Sequence, residues 1–405
     1  MQVAAATAAP DGVSGDRIID FDIYGVIAPD AEYQLAIKNL NAPGSPDLFW
    51  TPRNGGHWVV TRAALIEQVL SDHAHFSSRS ISVPKEMNAN PPLMPLQIDP
   101  PDHVKYRMLL AGAMSPKAVQ PLGEKARALS IELIEGFMAK GECEFIGDFA
   151  QHLPVAVFMS LTGLPDTDRE LLSGIADTVL RHPDPQVRFA ALQRLGGYGM
   201  QKIAERRRTP GDDLISTIAQ AKVDGAPIDD ATLAGMITLL LLAGLDTVVS
   251  MLGFFTLFLS RNDAHRRQLI EEPALIPNAV EELLRRFPVA VVAREVAQAL
   301  EMDGQTLRPG EMVVAPTALD GLDERKFSDP LTVDFKRPRP LHATFGGGEH
   351  RCLGSMLART ELRIFLEEWL KRVPDFKVKP GVDIEVRART VATITSLPLV
   401  WNVAA

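Results

Sequence analysis

Phe345-Gly346-Gly347-Gly348-Glu349-His350-Arg351-Cys352-Leu353-Gly354 is the stretch that decides the reading of this chain. It places one cysteine among glycines and cationic residues, directly before a helical pattern over 354–373. Backbone N–H groups around the sulfur, and the N-terminus of the following helix, would stabilise negative charge on it. The glycines let backbone come close to a flat group where a Cβ would collide. A thiolate ligand to a large planar cofactor needs this combination. The competing reading is a glycine-rich loop beside a structural cysteine, and a short motif alone does not separate the two.

Composition narrows the field. The 405 residues are 46% hydrophobic and 23% charged, the balance of a soluble globular protein with ample core. A net charge of −9 with no offsetting basic block argues against a nucleic-acid partner. Cys143 and Cys352 are the only cysteines, so no disulfide framework is implied and a cytoplasmic location is expected. Residues 1–15, rich in Ala, Pro and Gly, are expected to form a flexible tail and not a secretory signal. Residues 16–405 contain no glycine- or serine-rich linker and read as one domain.

One segment imitates a membrane span. Residues 233–260 carry a single formal charge, Asp246, and are long enough to cross a bilayer. A carboxylate there would cost about 2.5–3.5 kcal/mol, and the flanks show no aromatic belt. The segment therefore reads as the central core helix of a soluble protein, apolar on all sides. Other helical patterns cover 30–39, 62–71, 101–114, 116–140, 149–161, 166–181, 185–208, 263–272 and 276–287, several opening with Asp, Ser or Pro. Short strands are expected at 57–61, 293–296, 312–316 and 392–401, giving a mainly α protein with a small β-rich lobe.

Within the apolar helix stands Ala243-Gly244-Leu245-Asp246-Thr247. Gly244 weakens the helical ladder and Thr247 can bond back one turn, so a local bulge is expected. An adjacent acid and alcohol in an apolar helix suits proton delivery to dioxygen undergoing reduction. Glu282 and Arg285 lie three apart on one helical face and can pair, a weak signal alone. His103 and Arg107 lie four apart on another.

The cysteine loop, the acid–alcohol pair and the order of helices resemble the cytochrome P450 superfamily across nearly the whole chain. That resemblance implies the P450 fold with the long central helix over the haem, and haem b held by the Cys352 thiolate, whose electron push favours O–O cleavage. It assigns oxygen activation to Asp246 and Thr247, with Arg181 as the cationic partner of Asp246. It assigns cofactor contacts to Phe345, Gly348 and Gly354, and propionate binding to His103, Arg107, Arg294 and His350. Glu282 and Arg285 take a structural role, locking their helix to Asp334-Phe335-Lys336-Arg337.

Leu283–Phe287, Gly321-Leu322-Asp323-Glu324-Arg325 and Leu397-Pro398-Leu399-Val400-Trp401 are similar to the bacterial class I, camphor hydroxylase-like branch. This implies hydroxylation of an unactivated C–H bond in a compact apolar terpenoid, a camphor- or cineole-like bicycle or a norisoprenoid. Electrons would come from a [2Fe–2S] ferredoxin reduced by an NAD(P)H-dependent reductase, and a monomer is expected. The pocket falls on Pro91, Leu93, Leu96, Leu239, Leu242, Ala243, Ala290, Val292, Thr390 and Val391. Pro91 stands where that branch has a substrate-binding tyrosine, and Val292 where it has an acid beside a propionate. Burying a substrate carbonyl without a donor costs about 1–3 kcal/mol, which disfavours camphor itself. Thr390 is the one polar contact expected in that set, and Asn88, Asn90 and Gln97 stand near enough for the loop to bring one inward as a polar anchor. The redox-partner face is expected at Arg107, Arg339, Arg351 and Arg359, with Glu67 where the branch has a docking arginine. A peroxide-driven peroxygenase and a non-catalytic haem sensor are the alternatives.

Overall fold

The computed structural model describes residues 7–26, 28, 30, 32–88, 91–338 and 340–403. It is about 52% helical. The α-helices are α1 (Tyr33–Lys38), α2 (Ala63–Ser71), α3 (Asp102–Ala111), α4 (Pro116–Met138), α5 (Leu153–Thr162), α6 (Arg169–Arg181), α7 (Pro185–Arg208), α8 (Leu214–Gln220), α9 (Asp230–Arg261), α10 (Asp263–Glu271), α11 (Ile276–Arg286), α12 (Thr317–Gly321) and α13 (Ser355–Arg372). A five-stranded sheet runs in the order Leu48–Thr51, His57–Val60, Met312–Pro316, Val291–Val296, Phe76–Ser77. Met312–Pro316 pairs parallel with His57–Val60; the other pairings are antiparallel.

Helix α9 is the axis. Asp229 caps it, its carboxylate accepting from the Thr232 amide at 2.9 Å and the Thr232 hydroxyl at 2.8 Å. Of its most apolar window, 67% is buried inside the protein, so it is a core helix. Helices α5, α6 and α7 pack against its first half. Its second half joins the larger apolar cluster with α11, α13 and the sheet. Trp369 of α13 centres an aromatic group there, with Phe145 edge-on at 5.0 Å and Phe149 at 5.5 Å.

Several boundaries differ from expectation. The helix expected from 149 begins with a π-turn, Ile146–Ala150, before α5. The strand expected over 392–401 divides into Thr393–Ile394 and Pro398–Trp401. Between them, the Leu397 amide donates instead to the Glu144 carboxylate at 2.7 Å. The tail is anchored from residue 7 onward: the Thr7 amide bonds the Pro52 carbonyl at 3.1 Å, and Ala9 and Val13 pack on the core. The bulge at Gly244 is absent, because α9 runs unbroken through it.

Candidate active site

The loop before α13 is folded back on itself. The Cys352 amide donates to the Phe345 carbonyl at 2.8 Å, closing the turn that holds the sulfur. Gly348 has φ +56°, and a Cβ there would lie 2.7 Å from Ser71 Cα of α2. The loop's seat on α2 thus requires that glycine. Gly354 has an ordinary φ of −75° and begins α13. The Phe345 ring lies 4.4 Å under the Arg359 guanidinium.

Burial raises the Cys352 thiol, while the amides of Gly354 and Ser355 and the charges of Arg107 and Arg359 oppose that rise. The residue nevertheless keeps accessible surface. Leu353 beside it packs on the apolar cluster holding Leu242 and Leu245 of α9. Ala243, deep in the same helix, is likewise exposed. A metal ion at this sulfur would supply the charge stabilisation that the amides and arginines begin.

Four cationic or basic groups, His103, Arg107, Arg294 and His350, gather beside the loop with no ion pair of their own among the described residues, although the charges of Asp99 and Glu349 reach them. His103 and His350 have ring centroids 4.3 Å apart. His103 Nδ1 and His350 Nε2 are buried with no hydrogen-bond partner among the described residues. Burial, then the charges of Arg294, His103 and Arg107, push His350 down to about 3. Arg294 is buried and bonds only the Ala293 carbonyl, at 2.9 Å; burial lowers it to about 10. Orphaned ring nitrogens beside arginines that lack an ion pair among the described residues suit a doubly anionic group, and the two haem propionates are one. Haem b therefore fits this residue set. Val292 and Arg294 share one face of their strand, so an apolar pocket residue and a propionate residue point to the same side.

On α9, the Thr247 hydroxyl donates to the Ala243 carbonyl at 3.2 Å, as the sequence suggested. Arg181, at the end of α6, pairs with Asp246 and also bonds Asp177 at 2.8 Å and Ser250 at 3.4 Å. Burial raises the Asp246 carboxyl, with Arg181 opposing. The space beside Gly244 is occupied by the Phe158 ring, which a Cβ would strike.

Part of the apolar lining assembles. Gly235 lets the Pro92 carbonyl settle directly on α9, and Leu93 packs on the cluster that holds Leu242. Ala290 bridges Val391, and the Val291 amide bonds the Thr390 carbonyl at 3.0 Å. The polar anchors do not materialise. Gln97 accepts from the Leu93 amide at 2.9 Å and donates to Arg79 and Asn88 oxygens at 3.0 and 3.4 Å. Asn88 accepts from the Ile81 amide at 2.7 Å and donates to the Lys85 carbonyl at 2.7 Å. Both side chains are spent on holding the loop; Asn90 lies outside the described residues.

Glu282 and Arg285 are wholly buried and pair at 2.8 Å through both oxygens. Arg285 also donates to the carbonyls of Gly321, Pro330 and Thr332, at 2.5, 2.7 and 3.0 Å. Glu282 in turn accepts from the Asp334 amide at 3.0 Å and Arg337 at 3.2 Å. The expected lock between α11 and the 334–337 segment is thus present.

Two of the four expected arginines are committed inward. Arg359 grips Glu281 at 2.5 and 3.0 Å, and Arg107 donates to the Arg351 carbonyl. Arg339 lies outside the described residues. Arg351 alone is exposed without an ion pair among them. Glu67 pairs with Lys326 at 2.6 Å. Glu281 was not singled out from the sequence; as the middle of an acidic pair it gives no signal until Arg359 and His342 converge on it.

A thiol loop against an apolar acid-bearing helix, flanked by buried cations, defines a haem-thiolate enzyme. The chain belongs to the cytochrome P450 family, whose model matches residues 180–401. It is 33% identical to the probable cytochrome P450 127A1 of Sinorhizobium fredii, over 92% of this chain and 91% of that protein. The crystal structure of CYP101J2 matches with TM-score 0.90 and 37% identity, covering 98% of this chain and 100% of its own, which supports the camphor hydroxylase-like branch. Mycobacterium marinum CYP268A2 in complex with pseudoionone matches with TM-score 0.83 and 30% identity, covering 94% and 96%. The protein is accordingly a haem-thiolate monooxygenase with Cys352 as its haem ligand.

Proposed function

We propose that this monooxygenase hydroxylates an unactivated C–H bond in a compact, weakly polar terpenoid, as one soluble, monomeric, cytoplasmic catalytic domain. The observation that carries the substrate class is how few donors the described residues of the pocket leave free. Asn88 and Gln97 are saturated by the loop, and Pro91, Leu93, Leu96, Leu239, Leu242, Ala290 and Val292 offer only carbon. Thr390 is the exception, the one side-chain hydroxyl in that set. A ligand held by shape keeps its regiochemistry through close packing rather than a hydrogen bond. The pseudoionone bound by CYP268A2 agrees with a substrate of this kind.

When bound, haem supplies dioxygen binding and activation, with the thiolate donating electron density. His103, Arg107, Arg294 and His350 would hold its propionates, and the Gly354 and Ser355 amides would stabilise the sulfur. Thr247 positions a hydrogen bond on the oxygen side of α9, and Asp246, tethered by Arg181, moves protons between that side and the surface-exposed Asp177. Electrons come from a [2Fe–2S] ferredoxin served by an NAD(P)H-dependent reductase. The carbon monoxide difference spectrum of the reduced protein tests thiolate ligation, and a terpenoid panel scored by the low-to-high spin shift tests the substrate class. A panel in which fatty acids or charged ligands shift the spectrum and terpenoids do not would overturn it.

A further inference from the structure

We infer that the cleft between α6 and α7 is a second ligand site, which takes the terpenoid alcohol that hydroxylation releases. This rests on the reading of the substrate as a compact terpenoid.

The cleft measures about 390 Å³, within the roughly 300–1,000 Å³ of small-ligand sites. None of its lining belongs to the haem-side pocket. Leu171 and Ile175 of α6 face Val187 and Ala191 of α7 across it, each pair four apart on its helix. Ile175 and Ala191 are buried, so the cleft is floored by carbon. Gly174 holds it open, because a Cβ there would meet nothing within 4 Å. Glycine inside a helix costs about 0.5–1 kcal/mol against alanine, and no neighbouring atom requires it at this position.

The polar groups of the cleft stand at one end. Helices α6 and α7 are joined by residues 182–184 and pack side by side. That connection leaves Thr178 and Val187 near the turn, and Glu170 and Arg194 at the far end. The Thr178 hydroxyl is spent on the Gly174 carbonyl at 2.8 Å. Glu170 and Arg194 are exposed and have no ion pair or side-chain hydrogen bond among the described residues, although the Glu170 charge reaches His152. A carbon-walled cleft with a carboxylate and a guanidinium at one end complements a compact hydrocarbon body bearing one hydroxyl. The carboxylate accepts from that hydroxyl and the guanidinium donates to its oxygen. The haem-side pocket offers a new hydroxyl few side-chain partners, and burying it unpaired costs about 1–3 kcal/mol. Hydroxylation therefore turns a molecule suited to the apolar pocket into one suited to the cleft.

The test is equilibrium dialysis of the holoprotein with fenchol, a bicyclic monoterpenoid alcohol, with and without 4-phenylimidazole ligating the haem. Wild type should retain about one azole-resistant fenchol per chain. Gly174→Leu fills the cleft and should remove that fraction, while the haem spectrum and its azole shift stay as in wild type. Glu170→Gln should weaken azole-resistant fenchol about three- to tenfold and leave fenchone, the ketone without a hydroxyl hydrogen, within about twofold. Arg194→Met should weaken both. Azole-resistant binding that is absent from wild type, or unchanged in both Gly174→Leu and Glu170→Gln, overturns the site. If no terpenoid shifts the haem spectrum while the Gly174-dependent fraction persists, the substrate reading falls and the cleft stands as an alcohol site.

Discussion

Arg181→Met removes the partner of a buried acid while keeping most of the side chain's volume. Wild-type Arg181 touches Asp246, Asp177 and Ser250, but only Asp246 is both charged and buried. Asp177 is exposed and water takes over its charge. Asp246 has two courses. It can stay ionised and unpaired, which typically costs 3–5 kcal/mol. Otherwise it takes a proton, which for a carboxyl of ordinary pKa 3.8 costs about 4 kcal/mol at pH 7. The second course caps the loss, so destabilisation of about 3–4 kcal/mol is expected at pH 7. A carboxyl whose folded-state pKa lies above its unfolded value contributes stability complete below the unfolded value and lost as pH rises through the folded one. The deficit of Arg181→Met should therefore shrink as pH falls from 7 toward 4, by at most about 1.4 kcal/mol per unit. Urea unfolding of the holoprotein, followed by far-ultraviolet dichroism at several pH values, measures this. Arg181→Met/Asp246→Asn should recover most of the loss. A pH-independent deficit, or one below about 1 kcal/mol, would refute the buried-pair account.

Three further changes probe the rest of the site. Thr247→Ala should still consume NAD(P)H but divert much of it to hydrogen peroxide, since the hydroxyl on α9 is removed while the pocket is kept; unchanged coupling to product counts against that role. Gly244→Ala should destabilise by about 1–3 kcal/mol, because the new methyl must displace the buried Phe158 ring, and Gly244→Ala/Phe158→Leu should relieve part of it in thermal unfolding. Burial favours the neutral Glu281 carboxyl, but bonds from His342 and Arg359 outweigh it and hold it at about 2. The stability it contributes is present above about 4.5 and lost as pH falls from there toward 2. With solvent screening this is roughly 1–2 kcal/mol, and Glu281→Gln should flatten acid release of haem over that window.

The sequence exposes those parts of the site that lie in continuous motifs. Cys352 and its glycines, and Asp246 with Thr247, could be named because the loop and the helix each carry their chemistry within a few residues. The Glu282–Arg285 pair was readable as a spacing, but its burial was not, since that depends on carbonyls from Gly321, Pro330 and Thr332. The strand end was over-extended because Leu397 looks like any apolar strand residue until Glu144 captures its amide. Gln97 and Asn88 looked available for substrate because polarity is visible in sequence and saturation is not.

Glu281 and Glu282 show the limit most clearly. They are neighbours of one type, yet successive helix positions are turned by about 100°. That rotation sends Glu282 into the buried lock with Arg285 and Arg337, and turns Glu281 toward the thiolate loop, where it takes Arg359. An arginine counted from sequence as part of an electrostatic docking face is therefore consumed within the fold by a residue 78 positions away. Helix α11 thus serves two structures from adjacent positions: the buried lock on one side, and on the other the cysteine loop, which it steadies through Arg359 stacked on Phe345.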